Sequence, residues 1–374
     1  MSLALRVVPT RGREFRPFLE LPYRLHQDRA YWVPPLRDDV RALFDTTKNP
    51  FFDHAEVEAT VAERDGRVVG RIAAIVNRAH NEFHEDRVGF WGFFECEDDP
   101  EAAAALFDAA DRWLAARGMD VSRGPMNFST NDDCGLLIDG FHRPPYLLMP
   151  DNPPYYEKLV ERAGYRKAKD LWAVSHYPPG VNELMDKAAN RVMKRTGVVT
   201  RPFNLKRYDH EVALIRDIYN AAWEKNWGFV PMTDREIEHM AKQLKPVVIP
   251  SIIRFAEIGN ETVGFGLALP NINLILKDLG GNLTPWGIVR LLWGAPRLKE
   301  VRVLTLGIRE GHRGLGLDTV LYRDMLAAGV KLGLTGAEYS WMLEDNPAIL
   351  RPLERMGAVH DKTYRVYDRP IAGK

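Results

Sequence analysis

Val301-Arg302-Val303-Leu304-Thr305-Leu306-Gly307-Ile308-Arg309-Glu310-Gly311-His312-Arg313-Gly314-Leu315-Gly316-Leu317-Asp318 decides how this chain is read. A β-rich run to Ile308 enters a turn containing arginine and glycine. An apolar-periodic helix then leaves it through Leu317, Leu321, Met325, Ala328 and Leu332. A strand that reaches a helix start through glycines presents backbone N–H groups and the positive end of a helix dipole, which together hold phosphate. Gly314 and Gly316 allow close approach of the backbone to a ligand. A Walker loop would need Gly-Lys-Ser/Thr where Leu317-Asp318-Thr319 stands, and a dinucleotide fingerprint would need a third glycine at Thr319.

Leu306, Ile308, Arg313, Gly314, Gly316 and Leu317 fall in register on Leu-x-Val-x-x-x-x-Arg-Gly-x-Gly-Ile/Leu-Gly/Ala. The stretch resembles the acyl-CoA loop of the GNAT acetyltransferase superfamily. Asp318 departs from the pattern, which mostly ends in Gly or Ala. Downstream, a strand from Ala337 to Leu343 leads to Asn346-Pro347 and a helix ending at Gly357. This ending is similar to the superfamily's Asn-x-x-Ala-x-x-Leu-Tyr-x-x-x-Gly-Phe, with Leu353 in place of the tyrosine that protonates the departing thiolate and Pro352 in place of leucine.

The pattern occurs twice. Ala62-Glu63, Val69-Gly70, Asn77 and Asn152-Pro153 return 194 residues later as Ala256-Glu257, Val263-Gly264, Asn271 and Asn346-Pro347. Glu161-Arg162 and Gly164 return as Glu354-Arg355 and Gly357. Each Ala-Glu segment reads as a hairpin, Val57 to Glu63 with Val68 to Val76, and Ile252 to Ile258 with Thr262 to Leu269. We therefore expect an α/β chain of two tandem GNAT-like domains, each a mixed, mostly antiparallel twisted sheet flanked by helices. Residues 1–177 form the first, 178–201 a basic linker and 202–374 the second. This organisation resembles a group of bacterial tandem-GNAT proteins over nearly the whole chain.

The halves are unequal. Where the second has its loop, the first reads Phe93-Phe94-Glu95-Cys96-Glu97-Asp98-Asp99-Pro100, whose four carboxylates would repel a pyrophosphate. The first domain should share the fold without binding CoA. It carries an extra polar stretch from Gly124 to Gly135, read either as a surface loop held by Asx turns or as a wall of the acceptor pocket.

What the resemblance implies is N-acyl transfer from acetyl-CoA or a longer acyl-CoA to a primary amine. The backbone of Leu306, Gly307 and Ile308 would pair with pantetheine, and Arg313, Gly314, Leu315, Gly316 and Leu317 would hold the pyrophosphate, with Asn346 beside them. A main-chain N–H near Ile308 would polarise the thioester. Base candidates are Glu344 and, from the first domain, Asp132 or Asp133; Tyr339 and Tyr364 are nearby tyrosines. A small-molecule amine and a lipid amine of sphingolipid type both remain open as acceptors. So does a non-catalytic acyl-CoA-binding or sensing protein.

Composition sets the remaining bounds. The 374 residues are 45% hydrophobic and 27% charged with zero formal net charge, so no global basic field favours nucleic acid. Two cysteines, no metal-type spacing and no apolar leader lead us to expect a metal-free, cytoplasmic protein. From Pro178 to Arg207 seven basic residues face two acidic ones, which suits a solvated face or a site for the 3′-phosphate of CoA. Ile272 to Leu298 is apolar on nearly every side but interrupted by Lys277, Asp278 and Arg290, too broken to span a bilayer. It would pack against the first domain, line an acyl channel or contact a membrane surface.

Overall fold

Both expected hairpins form, in a computed structural model that describes residues 2–177, 180–224 and 226–371. Strand β1 (Leu3–Val8) lies antiparallel to β2 (Ala55–Arg64), with α1 (Arg16–Leu25) and α2 (Arg37–Leu43) between them in sequence. Strand β2 turns into β3 (Arg67–Asn77) through Asp65 and Gly66, both at positive φ, which a two-residue hairpin turn of this hand requires. After α3 (Arg78–His84), β4 (Val88–Cys96) continues the antiparallel order. Helix α4 (Pro100–Ala115) then crosses to β5 (Val121–Gly124), which runs parallel to β4. The small hairpin β6 (Met126–Asn127) and β7 (Asp133–Cys134), then β8 (Leu136–Asp139), α5 (Tyr156–Arg162) and β9 (Arg166–His176) follow.

The second half repeats this order. After α6 (Glu183–Thr196) come β10 (Val199–Pro202), α7 (Tyr208–Trp223), α8 (Asp234–Leu244), β11 (Arg254–Ile258) and β12 (Glu261–Pro270). Short α9 (Asn273–Leu276) and α10 (Pro285–Gly294) precede β13 (Glu300–Ile308). Strands β10 to β13 are successively antiparallel. Helix α11 (Leu317–Lys331) returns to β14 (Gly336–Leu343), parallel to β13, and α12 (Pro347–Arg355) leads to β15 (Val359–Pro370). Four antiparallel strands and one parallel crossover thus occur twice, and the sheet is mixed and mostly antiparallel.

Each half buries its own core. In the first, Trp91, Phe107 and Tyr165 meet between the sheet and α4, with ring centroids 5.0 to 5.4 Å apart. In the second, Leu321, Met325 and Leu326 of α11 cover one sheet face, and Ile218 of α7 packs on Phe255 and Phe265 of the other. Each such side chain contributes roughly 1.5–3 kcal/mol by leaving water.

The compact units differ in extent from the expected domains. The first comprises residues 1–171, 276–287 and the chain from Lys362 on; the second comprises 172–275 and 288–361. Strand β15 joins the first unit because its Tyr367 to Pro370 pair antiparallel with β5. The segment expected as a linker contains α6, which packs on α11: Met185 and Ala189 are buried, and Arg323 holds Asp186 at 2.8 Å. Pro178 and Pro179 of the expected boundary lie outside the described residues.

Candidate functional site

The loop after β13 is built around two glycines with positive φ, Gly314 at 73° and Gly316 at 82°. Gly316 is the N-cap of α11 and supplies no side-chain cap, so the first-turn N–H groups face whatever occupies the loop. A Cβ on Gly316 would lie 2.9 Å from Val192 of α6, whereas one on Gly314 would meet open space. Arg313 is exposed but held: its guanidinium donates to the Ala221 and Ala222 carbonyls at the end of α7, at 2.9 and 3.1 Å. Arg195 donates to the Leu315 carbonyl at 2.6 Å. Two arginines therefore hold the loop's shape while leaving positive charge beside it. Asp318 lies in the first turn of α11 without capping it.

Strand β13 opens a fork beside this loop. It pairs with β14 only from Glu300 to Val303, against Gly336 to Tyr339. Beyond that point β13 keeps its β12 neighbour as far as Ile308, while β14 continues to Leu343. The β12 ladder slips between Leu267, paired with Thr305, and Ala268, paired with Val303, so Leu304 is a bulge at the fork's root. A bulge turns backbone groups out of the ladder. The thioester-polarising N–H is expected near Ile308, whereas the ladder itself breaks at Leu304.

A buried polar cluster lies at the same root, and the sequence reading did not single it out. Arg302, paired in register with Glu338, donates to the Ser340 hydroxyl at 2.9 Å and to its carbonyl at 3.1 Å. Ser340 in turn donates to Glu338 at 2.7 Å. All three are at most 5% exposed. The available signal was a carboxylate at alternate spacing from Ser340 in an otherwise apolar strand, Ala337 to Leu343. On the same face as Gly307, which abuts Trp223 and Ile218, the Thr305 hydroxyl is buried without a partner among the described residues.

The first unit has the same two features, and both are occupied by its own chain. Its fork opens after Phe90 and Arg123, the last pair of β4 and β5. Into it fold Met126, Asn127 and Phe128. The Asn127 side-chain oxygen accepts the Phe93 N–H at 2.7 Å. Phe128 packs on Phe93, Phe44 and Phe51 at 4.9 to 5.1 Å between centroids. Phe93, at φ 50°, is the bulge here. Counting back from Cys96 and Ile308, the partners of the repeat-related Gly70 and Gly264, Phe93 corresponds to Thr305. An amide oxygen of the chain therefore meets, in the first unit, the N–H that corresponds to that of Thr305 in the second.

The helix start is likewise self-satisfied. Asp99 caps α4, accepting the Glu101 and Ala102 N–H groups at 3.1 Å. Burial works against its charge, yet those bonds and Arg64 hold its carboxyl below the usual range. Glu97 pairs with Arg24 at 2.8 Å. Glu95 meets His26 at 2.6 Å and Tyr156 at 2.7 Å; despite burial these and Arg71 keep it below the ordinary carboxylate range. Three of the four carboxylates expected to repel pyrophosphate, Glu95, Glu97 and Asp99, are thus tied into the fold.

The remaining candidates fall as follows. Glu344 is half-buried in the turn after β14, at the mouth of the fork. Asn346 is the N-cap of α12 but makes no side-chain cap. Asp132 accepts from the Ser129 hydroxyl at 2.9 Å and from the Phe128 and Ser129 N–H groups, and burial pushes its carboxyl up to about 6. Asp133 pairs with Asn127 in the β6–β7 hairpin. Both thus shape the segment that fills the first fork. Tyr339 packs edge-on to Tyr322 under α11, Tyr364 is fully buried in the first unit, and Leu353 is core. Among the described residues no cluster of three metal-ligating side chains occurs.

No family model matches the chain. It is 38% identical to the bacterial ceramide synthase of Caulobacter vibrioides over 98% of both chains. It is 35% identical to Protein YghO of Escherichia coli over 96% of this chain and 93% of that one. Among solved structures, a tandem GNAT protein from the clavulanic acid biosynthesis pathway superposes with a TM-score of 0.57 at 11% identity, covering all of both chains. That likeness shows the tandem GNAT fold.

Proposed function

We propose that this chain, which belongs to the family of the bacterial ceramide synthase and is an acyl-CoA-dependent N-acyltransferase of tandem GNAT fold, transfers a long acyl group to the primary amine of a lipid base. The observation that carries the acceptor class is the end-to-end 38% identity to a protein named for making ceramide, an N-acylated long-chain base.

In this reading the uncapped start of α11 and the Arg313–Leu317 backbone hold the pyrophosphate. Pantetheine runs along Leu306, Gly307 and Ile308 into the fork, with Asn346 at its mouth. The thioester carbonyl reaches the bulge, where the N–H groups of Leu304 and Thr305 stabilise the oxyanion as the amine attacks. The C–N bond forms, the C–S bond breaks, and CoA leaves as thiol. The amine's proton passes through Ser340 to Glu338. Glu344 is the less favourable base, lying about 10 Å further along the strand from the bulge level. Asp132 and Asp133 are needed to hold the first unit's loop.

Incubating the purified protein with palmitoyl-CoA and sphinganine should yield N-palmitoyl sphinganine by mass spectrometry, with equimolar free CoA. Turnover of acetyl-CoA with soluble amines alone would replace the lipid acceptor by a small molecule. CoA-thioester binding without any turnover would make the protein a sensor.

A further inference from the structure

Helix α10 turns its tryptophans outward. Trp286 is 80% and Trp293 71% exposed, and Ile288, Val289 and Leu292 are exposed beside them. The inward positions are Gly287, Leu291 and Gly294, spaced four and three apart, which is one helical stripe. Glycine suits that side: a Cβ on Gly294 would lie 2.7 Å from Ile275, and one on Gly287 3.3 Å from Leu279. A helix that meets water ordinarily buries its large apolar residues and shows polar ones. Here the small residues pack and the large ones are presented.

This segment was expected to cement an interface, line a channel or meet a membrane. Its first part does pack, since the Arg37 guanidinium donates to the Gly280 carbonyl and the Arg37 backbone N–H to the Gly281 carbonyl, both at 3.0 Å. Trp286 and Trp293, however, neither cement an interface nor line a channel at these exposures. The charges along the helix itself have one sign, with Asp278 and Glu300 flanking the stretch. From Leu279 to Lys299 there is no acidic residue, while Arg290, Arg297 and Lys299 are exposed. Arg297 stacks over Trp293 at 4.3 Å. Ten residues of helix reach about 15 Å, half a bilayer's hydrocarbon thickness, and no helix among the described residues is long and apolar enough to cross a membrane.

We propose that α10 docks the protein flat on an anionic phospholipid surface, with Trp286, Ile288, Val289, Leu292 and Trp293 entering the headgroup boundary and Arg290, Arg297 and Lys299 meeting lipid phosphates. Tryptophan and arginine suit that boundary, where one end of each side chain is apolar and the other wet. The surface would bring the enzyme to an acceptor that resides in lipid. It rests on the lipid-acceptor reading for its purpose, but it can be measured without turnover.

The test is sedimentation of the full-length protein with phosphatidylcholine vesicles and with mixed phosphatidylcholine–phosphatidylglycerol vesicles. The protein should pellet with the anionic vesicles, more weakly with the neutral ones, and less as salt is raised. The double variant W286S/W293S should lose about tenfold in vesicle affinity, with an unchanged melting temperature because both residues are exposed. R290Q/R297Q/K299Q should lose the preference for anionic lipid. No pelleting with either vesicle, or equal pelleting of W286S/W293S, overturns the proposal. So does a self-associated wild type that W286S/W293S dissociates without vesicle binding, which would make a second copy the occupant. Vesicle binding without transfer to sphinganine would remove the lipid-acceptor reading and leave the surface standing.

Discussion

The two units present the same fork and the same helix start, and differ in what fills them. In the first, Asn127 and Phe128 occupy the gap between β4 and β5, and Asp99 caps α4. In the second, among the described residues, β14 passes directly into α12 with no hairpin between them, and α11 begins at Gly316 without a side-chain cap. A backbone that must leave donors unmet at a parallel-strand fork either meets them with its own side chains or keeps them for a ligand. The first unit shows the structural solution, and the function proposed above gives the second the binding one.

The comparison can be broken most forcefully at the first fork. Phe128→Ala removes a buried ring touching three others and should cost roughly 3–5 kcal/mol of stability, while the CoA-induced thermal shift persists. If that shift vanished, the first fork would be part of the CoA site. Gly316→Val tests the opposite pole. A β-branched residue at φ 82°, against Val192, should abolish CoA-dependent stabilisation, a loss of roughly 2.7 kcal/mol at a hundredfold excess over Kd. A cooperative melt with the shift intact would show that the loop is not where CoA binds.

Glu338→Gln should lower kcat by about a hundredfold, roughly 2.7 kcal/mol, with little change in KM for acyl-CoA, and should flatten the acidic limb of the pH profile. An unchanged profile would return the base to Glu344. Asp99→Ala uncaps α4 and should cost about 1 kcal/mol; CoA binding gained there would show that the cap alone separates the units.

The smallest effect concerns Asp132. Its folded pKa, about 6, lies above the ordinary carboxylate value, so the folded state holds the proton more tightly than the unfolded one. The sign follows: stability from this group is full below the ordinary value and falls as pH rises toward 6. Asp132→Asn should remove that slope between about pH 4 and 6 in thermal melts. A retained slope would assign it elsewhere.

Glycine placement, apolar period and the spacing of repeated anchors are local properties of the chain. From them came the loop at Gly314 and Gly316, the tandem hairpins and the expectation that Phe93 to Pro100 does not hold phosphate, since each depends on backbone freedom or charge that a residue carries wherever it sits. Pairing register and packing partners are not local. Only the paired register shows the ladder slip at Leu304, and only the adjacency of β13 and β14 joined Arg302, Glu338 and Ser340. The polar stretch from Gly124 to Gly135 read as loop or pocket wall because nothing in it records that β4 and β5 diverge and leave space for Phe128. Helix α10 is apolar on nearly every side in sequence, apart from Arg290, and which side met protein was decided by Ile275 and Leu279, which admit glycine and leave the tryptophans outside.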